Sequence, residues 1–414
     1  MAIIRPFCGV RPSAEYAENI AALPYDVYNR EEAVEEVKGK PYSFLRIDRA
    51  EVEMDMGIDT YDKKVYQHAR DKFDEFVEKG YFIQDDKPCL YLYELEMNGR
   101  KQLGIVTCTS VDDYLNNNIK KHELTREAKE QDRINHVDYL DANTGPIFLT
   151  YRAKQEINAL MDKYVNDNTP IYDFTADDEI SHRVWVVEDD KLIEQLVLHF
   201  KNIDSLYIAD GHHRAASAVK VAMKRRKANL DYNGTEEFNF FLSVVFPDDQ
   251  LHIMDYNRVV KDLNNYKVSE LINEIEKNFV VEEIGSKPYK PADKLEFGMF
   301  VEDKWYKLTA KDQLKSIDDP VRSLDVSILY NYLLQPTLDI GDPRIDKRID
   351  FVGGIRGLKE LERRAQSDMK IAFSMYPTKI EELMNIADAS KLMPPKSTWF
   401  EPKLRSGLFI HKLS

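Results

Sequence analysis

Cysteine is scarce in this chain: Cys8, Cys89 and Cys108 are scattered over 414 positions without a C-x-x-C pair. Neither a zinc cage nor a disulfide framework follows from that spacing, and the expected compartment is a reducing cytoplasm. No apolar run approaches the roughly 20 residues that span a bilayer. The opening MAIIRPFCGVRP meets a proline and charge too early for a signal peptide. Repeats and low-complexity tracts are absent, and glycine and proline are sparse at 16 and 17, so linkers are short. Positive charge is the minority: 58 Lys and Arg against 73 Asp and Glu leave a net charge of −15. Such a chain is poorly suited to coating a nucleic-acid backbone. A nucleophile elbow, an H-E-x-x-H helix, a protein-kinase signature set, a Walker loop and G-x-G-x-x-G are all missing.

What remains is an ordinary globular composition, 43% hydrophobic and 32% charged, in a chain long enough for two or three domains. The expected parts are an N-terminal α/β segment (1–115), a central core (116–260) and a C-terminal α/β domain (261–414). Apolar residues at Val65, Ala69, Phe73, Phe76 and Val77 recur with a helical period that Gly80 closes. Two apolar runs joined at Asn98-Gly99 read as a β-hairpin. GPIFLTY and HRVWVVED read as strands, and DKLIEQLVLHFKN as an amphipathic helix. FNFFLSVVFPDDQLHIM reads as a second hairpin, and KIAFSMYP as a strand followed by a helix. The alternation predicts an α+β (mixed α/β) protein.

Chemistry concentrates in YIADGHHRAA, residues 207–216. The stretch predicts a strand over 205–209, a tight turn at Gly211 and a helix starting within two residues of Arg214. Glycine there permits a positive φ and a close backbone approach. The first-turn N–H groups of the helix make an anion site, and Arg214 adds a planar fork suited to phosphate. Asp210 is positioned to hold Mg²⁺ or orient a hydroxyl, while His212 and His213 can donate to phosphate or carry protons. A plain N-cap reading of Asp210 stays open. A zinc site from His212 and His213 is disfavoured, because adjacent helical residues point about 100° apart and no third ligand is near in sequence.

A second cluster, KKHELTREAKEQDR, sets Glu123 just before a helix expected from Thr125, beside His122, Arg126 and Arg133. A carboxylate at such a boundary suits a general base; a solvated helix with i,i+4 ion pairs is the other reading. Tyr25 and Asp26 in PYDVYN are candidates to face a cleft, as is Arg258 at a strand end. Gly353, Gly354 and Gly357 in FVGGIRGLKEL look like a structural turn. Lys396, Ser397 and Thr398, in the stretch that runs to the C-terminus, either cover a site or belong to a strand tied onto a sheet.

IRPFCGVRPSAEYAENIAALPYDVYN, KKHELTREAKEQDRINH, GPIFLTY, YIADGHHRAASA, DYNRVVKDL, FVGGIRGL and MPPKSTWFEPKLRSGLFIHKL together resemble domain-of-unknown-function family 1015. The H-E pair and the D-G-H-H-R turn also resemble those of the ParB/sulfiredoxin superfamily, especially its free-serine kinases. That resemblance implies a ParB/sulfiredoxin-like catalytic core elaborated at both ends. It implies transfer of a phosphoryl group from ATP (or ADP), with Mg²⁺, to the hydroxyl of free L-serine. Glu123 is then the base, with Asp210 and His213 also catalytic. Gly211, His212, His213 and Arg214 bind the nucleotide and Asp210 the metal; from the residues themselves Arg258 is a further candidate for the nucleotide, and His122, Tyr25 and Asp26 for the acceptor. The motifs lie about ninety residues apart, farther than in a compact ParB-type domain. A ParB-like nucleotide switch without kinase activity is the alternative, whereas a sulfiredoxin-like reductase needs a cysteine where the histidines stand. No nucleic-acid or membrane partner is expected, and homodimerisation is left open.

Overall fold

The computed structural model describes residues 2–125 and 127–414, so Arg126 lies outside the described residues. The chain divides into two compact units. One runs to Leu251 and includes Pro402–Ser414, and the other is His252–Glu401.

The first unit is built on a nine-stranded mixed sheet. In chain order its strands are β1 (Ile4–Arg5), β2 (Leu90–Met97), β3 (Arg100–Ser110), β4 (Ile119–Lys120) and β5 (Ile147–Tyr151). They continue with β6 (Tyr172–Thr175), β7 (Ser181–Val187), β8 (Leu206–Asp210) and β9 (Phe240–Pro247). Across the sheet they run β4-β8-β5-β9-β3-β2-β7-β6, with β1 on β3. Most neighbours are antiparallel, but β4 and β8 are parallel, as are β5 and β9. Asn98 and Gly99 close the β2–β3 hairpin at φ 53° and 75°, the left-handed pair a two-residue turn of this kind demands.

Three helices of this unit matter below. The first is α1 (Lys63–Glu78), capped by the Asp62 side chain, with Val65, Ala69, Phe73 and Phe76 buried. Val77, expected on that face, is 39% exposed, because it is one step of about 100° past Phe76. The second is α2 (Glu127–Leu140) and the third is α3 (His212–Ala228). Small residues on α3, among them Ala215, Ala218 and Ala222, are buried in the main apolar cluster of the unit with Ile147, Leu149 and Val245 of the strands.

The second unit carries a six-stranded antiparallel sheet: β10 (Tyr256–Val260), β11 (Phe279–Gly285), β12 (Glu296–Val301), β13 (Lys304–Ala310), β14 (Ile349–Gly353) and β15 (Ile371–Ser374). Its order is β11-β13-β12-β15-β10-β14, and helix α4 (Leu358–Ser367) follows β14.

The mixed α/β class expected from the sequence is thus observed. Its three-part division differs from the two units. β3 pairs with β9 along Phe240–Val245, so one sheet joins residues from both sides of position 115. The last residues return to the first unit, where Ser406 and Ile410 donate backbone N–H bonds to Ala22 and Val10, both at 2.8 Å. The hairpin expected in FNFFLSVVFPDDQLHIM also does not form. β9 instead lies between β3 and β5, and Ile253–Met254 pairs with Trp399–Phe400 in the second unit. Among the described residues no helix is long and apolar enough to cross a membrane.

Candidate functional site

The parallel pair β4–β8 removes the ninety-residue separation of the two motifs. Ile119 lies opposite Leu206 and Lys120 opposite Tyr207, so both strands end on the same side of the sheet edge. Their exits are the His122-Glu123 loop and the Gly211 turn. Loops at the carboxyl ends of parallel strands are where open α/β sheets bind ligands.

Gly211 has φ 93° and is the N-terminal flank of α3, with no side chain capping the helix. Asp210 is therefore not the cap of the plainer reading. Its Oδ1 accepts from the Gly211 N–H at 2.9 Å, and its Oδ2 is 3.2 Å from Lys403 Nζ and 3.9 Å from Arg214. Burial pushes the Asp210 pKa up, yet the charges of Lys403 and Arg214, with a Lys403 hydrogen bond, outweigh it and hold the carboxyl below its usual range. Arg214 folds back under the turn and donates to the Pro146 carbonyl at 2.5 Å. A Cβ added at Gly211 would come within 3.1 Å of Arg214 Nε. The turn thus combines a glycine that lets backbone approach closely, a helix N-terminus whose first-turn N–H groups have no acceptor within the helix, and two cations beside one acid.

His122 and His212 meet edge to face, with ring centroids 4.4 Å apart. The His122 backbone N–H points at His212 Nε2 at 3.5 Å. His122 is 2% exposed, and its Nδ1 has no hydrogen-bond partner. Burial lowers its pKa to about 4, against the raising effects of Asp210 and of a hydrogen bond to the Ile208 carbonyl. Burial likewise holds His212 well below the usual histidine value, helped by the charge of His122. One ligand atom from each of His122, Glu123 and His212 falls within a 4.8 Å cluster. His213 is half-buried in the first turn of α3, where its carbonyl accepts from Ser217 Oγ at 2.7 Å.

Helix α2 is not a solvated ladder of charges. Glu130, Arg133 and His136 are buried on it. Glu130 accepts from Thr125 Oγ1 at 2.7 Å and from Lys220 of α3 at 2.5 Å, which fastens the H-E loop to the turn's own helix. The Arg133 guanidinium stacks 4.0 Å above the Tyr25 ring. Its NH1 is 3.7 Å from Asp48 Oδ1, as is His136 Nε2, and Thr144 donates to the same oxygen at 3.2 Å. Tyr25, Asp48, Arg133 and His136, with Asp26 and Asp132, line a cavity of about 140 Å³. A narrower space lined by Tyr25, Asp48, Arg133 and Thr144 extends from there to Arg214.

The structure therefore brings Glu123, His122, Asp210, Gly211, His212, His213 and Arg214 into one region, with Tyr25 and Asp26 on the adjoining cavity. Arg258 belongs to the second unit. There it is 4% exposed, donating to the carbonyls of Tyr256 and of Lys396 (2.9 Å) beneath the Phe351 ring. Burial pushes its pKa down to about 10. Those contacts occupy its guanidinium. Lys396 and Ser397 also sit in that unit, in a loop tied by Ser397 Oγ to the Pro394 carbonyl at 2.7 Å. Lys403, Asp48, His136 and Thr144 escaped the sequence reading. The one available signal was that Lys403, His136 and Thr144 flank or fall within stretches already singled out.

Among curated proteins none matches the chain. Solved structures similar to it at low identity include the following three. A mutant free serine kinase in complex with AMP has a TM-score of 0.36 and 13% identity over 72% of this chain and 87% of that one. A conserved hypothetical protein from Pyrococcus furiosus has a TM-score of 0.34 and 15% identity over 73% and 93%. SbnI with a C-terminal truncation, from Staphylococcus aureus, has a TM-score of 0.35 and 12% identity over 72% and 82%. The profile of the family described as "Protein of unknown function (DUF1015)" matches residues 4–327, most of the chain, and the chain belongs to that family.

Proposed function

We propose that the first unit is a small-molecule kinase that moves a phosphoryl group from ATP or ADP to the hydroxyl of free L-serine. The observation that carries this reading is the parallel β4–β8 pair, which sets the Glu123 loop beside the Gly211–Arg214 turn. Phosphoryl transfer asks little covalent work of a protein; it needs positioning, charge neutralisation and a base. The first-turn amides of α3, Arg214 and Lys403 supply positive charge for the phosphates. Glu123 takes the serine hydroxyl proton as the new P–O bond forms and the bond to the departing nucleotide breaks. His213, in the first turn, donates to phosphate oxygen.

Mg²⁺ would neutralise phosphate charge when bound. A hard cation takes oxygen ligands, and Asp210 is the fitting donor because its neighbours keep it ionised. The acceptor fits the cavity beside Tyr25 and Asp26. Its volume is a few times the ~30 Å³ share of one water, the scale of a small amino acid. Asp26 and Asp132 suit an α-ammonium group, and Arg133 suits an α-carboxylate. The choice of serine rests on the resemblance of the H-E and D-G-H-H-R motifs to free-serine kinases.

The test is formation of O-phosphoserine from serine with ATP, then ADP, and Mg²⁺, followed by phosphorus NMR. Nucleotide binding without phosphorylation of serine or related hydroxyl compounds would reject the kinase in favour of a nucleotide-responsive switch.

A further inference from the structure

We propose that His122, Glu123 and His212 form a binding site for a borderline divalent transition ion, of the class of Zn²⁺ or Co²⁺. This goes beyond the kinase reading and does not depend on it. Two imidazoles and one carboxylate are a donor set that such ions favour and Mg²⁺ does not, since Mg²⁺ prefers oxygen.

Two independent observations support the site. One ligand atom from each residue lies within a 4.8 Å cluster, although ninety positions separate His122 from His212. Separately, His122 Nδ1 is buried and without a partner, on a side chain only 2% exposed. Buried polar atoms are nearly always satisfied, and an orphan is a common mark of a missing ion or water. Nδ1 is therefore the His122 ring nitrogen left without a partner inside the protein, the position at which an ion would satisfy it. The His122 N–H points at His212 Nε2 from 3.5 Å, the long limit of such a bond, so the acceptor lone pair of that nitrogen is weakly held.

Ligands about 2.1 Å from a tetrahedral ion lie roughly 3.4 Å from one another, so binding contracts the cluster. Glu123 lies half-buried in an irregular loop, whereas His212 sits at the junction of β8 and α3. Three protein ligands leave a fourth position for water or a substrate atom, as in catalytic rather than structural sites. On the kinase reading the same ion would engage the Glu123 carboxylate and withdraw the base.

The test uses full-length, tag-free protein stripped with a chelator and titrated with Co²⁺ alone, read by its visible d–d absorption. Zn²⁺ is then added in competition. One equivalent of Co²⁺ with a tetrahedral or five-coordinate spectrum, displaced by Zn²⁺ and not by excess Mg²⁺, is expected. Affinity should fall at least tenfold in Glu123→Gln and in His212→Asn. Glu123→Gln alters a half-buried loop residue, so it remains informative if the His212 variant does not fold. Absence of Co²⁺ binding in wild type, or undiminished binding in a folded Glu123→Gln variant, overturns the site. Phosphoserine formation plays no part in this readout, so loss of the kinase reading and loss of the metal site are separate results.

Discussion

Among the described residues, two strand–glycine–helix junctions use glycine for different ends. At Asp210-Gly211 the glycine has φ 93°, and what surrounds it is charge: Asp210, Arg214 and Lys403. At Gly353-Gly354 in the second unit, glycine makes room for packing. A Cβ on Gly353 would meet the Trp399 ring at 2.8 Å, and one on Gly354 would meet Asp255 at 2.6 Å, with the Asp255 backbone oxygen at 2.8 Å. Gly357, the flank of α4, has φ 71° and open space around it. A glycine before a helix is thus no phosphate site by itself. The groups that converge on it decide.

The sharpest way to break the comparison is chemical. Glu123→Gln keeps shape and hydrogen bonding but removes the base. Turnover to phosphoserine should fall about 10²–10⁴-fold while nucleotide affinity stays. Full activity in that variant would move the base to another carboxylate.

Arg214→Ala removes one of the two cations beside Asp210 and should weaken nucleotide binding by about 10–100-fold, lowering the rate with it. Calorimetric titration with ADP measures it. Unchanged affinity would leave Arg214 as a brace for the Pro146 carbonyl and nothing more.

Next come the glycines themselves. Gly354→Ala forces a methyl against the Asp255 backbone, an overpacking cost of about 1–3 kcal/mol, and should leave ADP affinity alone. Gly211→Ala pays about 1–2 kcal/mol for its left-handed backbone and should weaken ADP binding as well. Denaturant unfolding and ADP titration on both variants separate the two kinds of junction. Equal effects on nucleotide affinity would erase the distinction.

The same contrast explains what was legible in the sequence. Local signals carried well: Asn98-Gly99 marks its hairpin, Gly80 ends the α1 segment, and the run into Gly211 gives strand, turn and helix as expected. Glu123 and the Gly211 turn could be singled out because their residue types are unusual together. Long-range partners were not readable. Lys403 reaches Asp210 across 193 positions, and Asp48 meets His136 from a different helix. The inward charge of α2 was also hidden, since Glu130, Arg133 and His136 look like a solvated face until Tyr25, Asp48 and Lys220 are brought against them. FNFFLSVVFPDDQLHIM misled because a strand and a turn signal do not reveal that the next strand belongs to another unit.

The gentlest probe is acidity. His122 and His212 are neutral and buried in the folded chain, the former with a pKa of about 4 and the latter well below the usual value. Unfolding exposes both rings to water, where they titrate near 6.5. Between those values the unfolded chain binds more protons than the folded one, so stability falls as pH drops through that window and is flat above it. Each such ring contributes a slope of about 1.4 kcal/mol per pH unit. Asp210 acts lower down: its depressed pKa adds stability that is complete above the usual carboxylate range and is lost only as pH falls below it. Urea unfolding at pH 7, 6 and 5 should show the histidine loss in wild type. His122→Gln should flatten the slope by one ring's share, even though the substitution lowers stability at pH 7. An unchanged slope in that variant would mean that His122 is not held neutral by its burial, and the acid sensitivity would then belong to other groups.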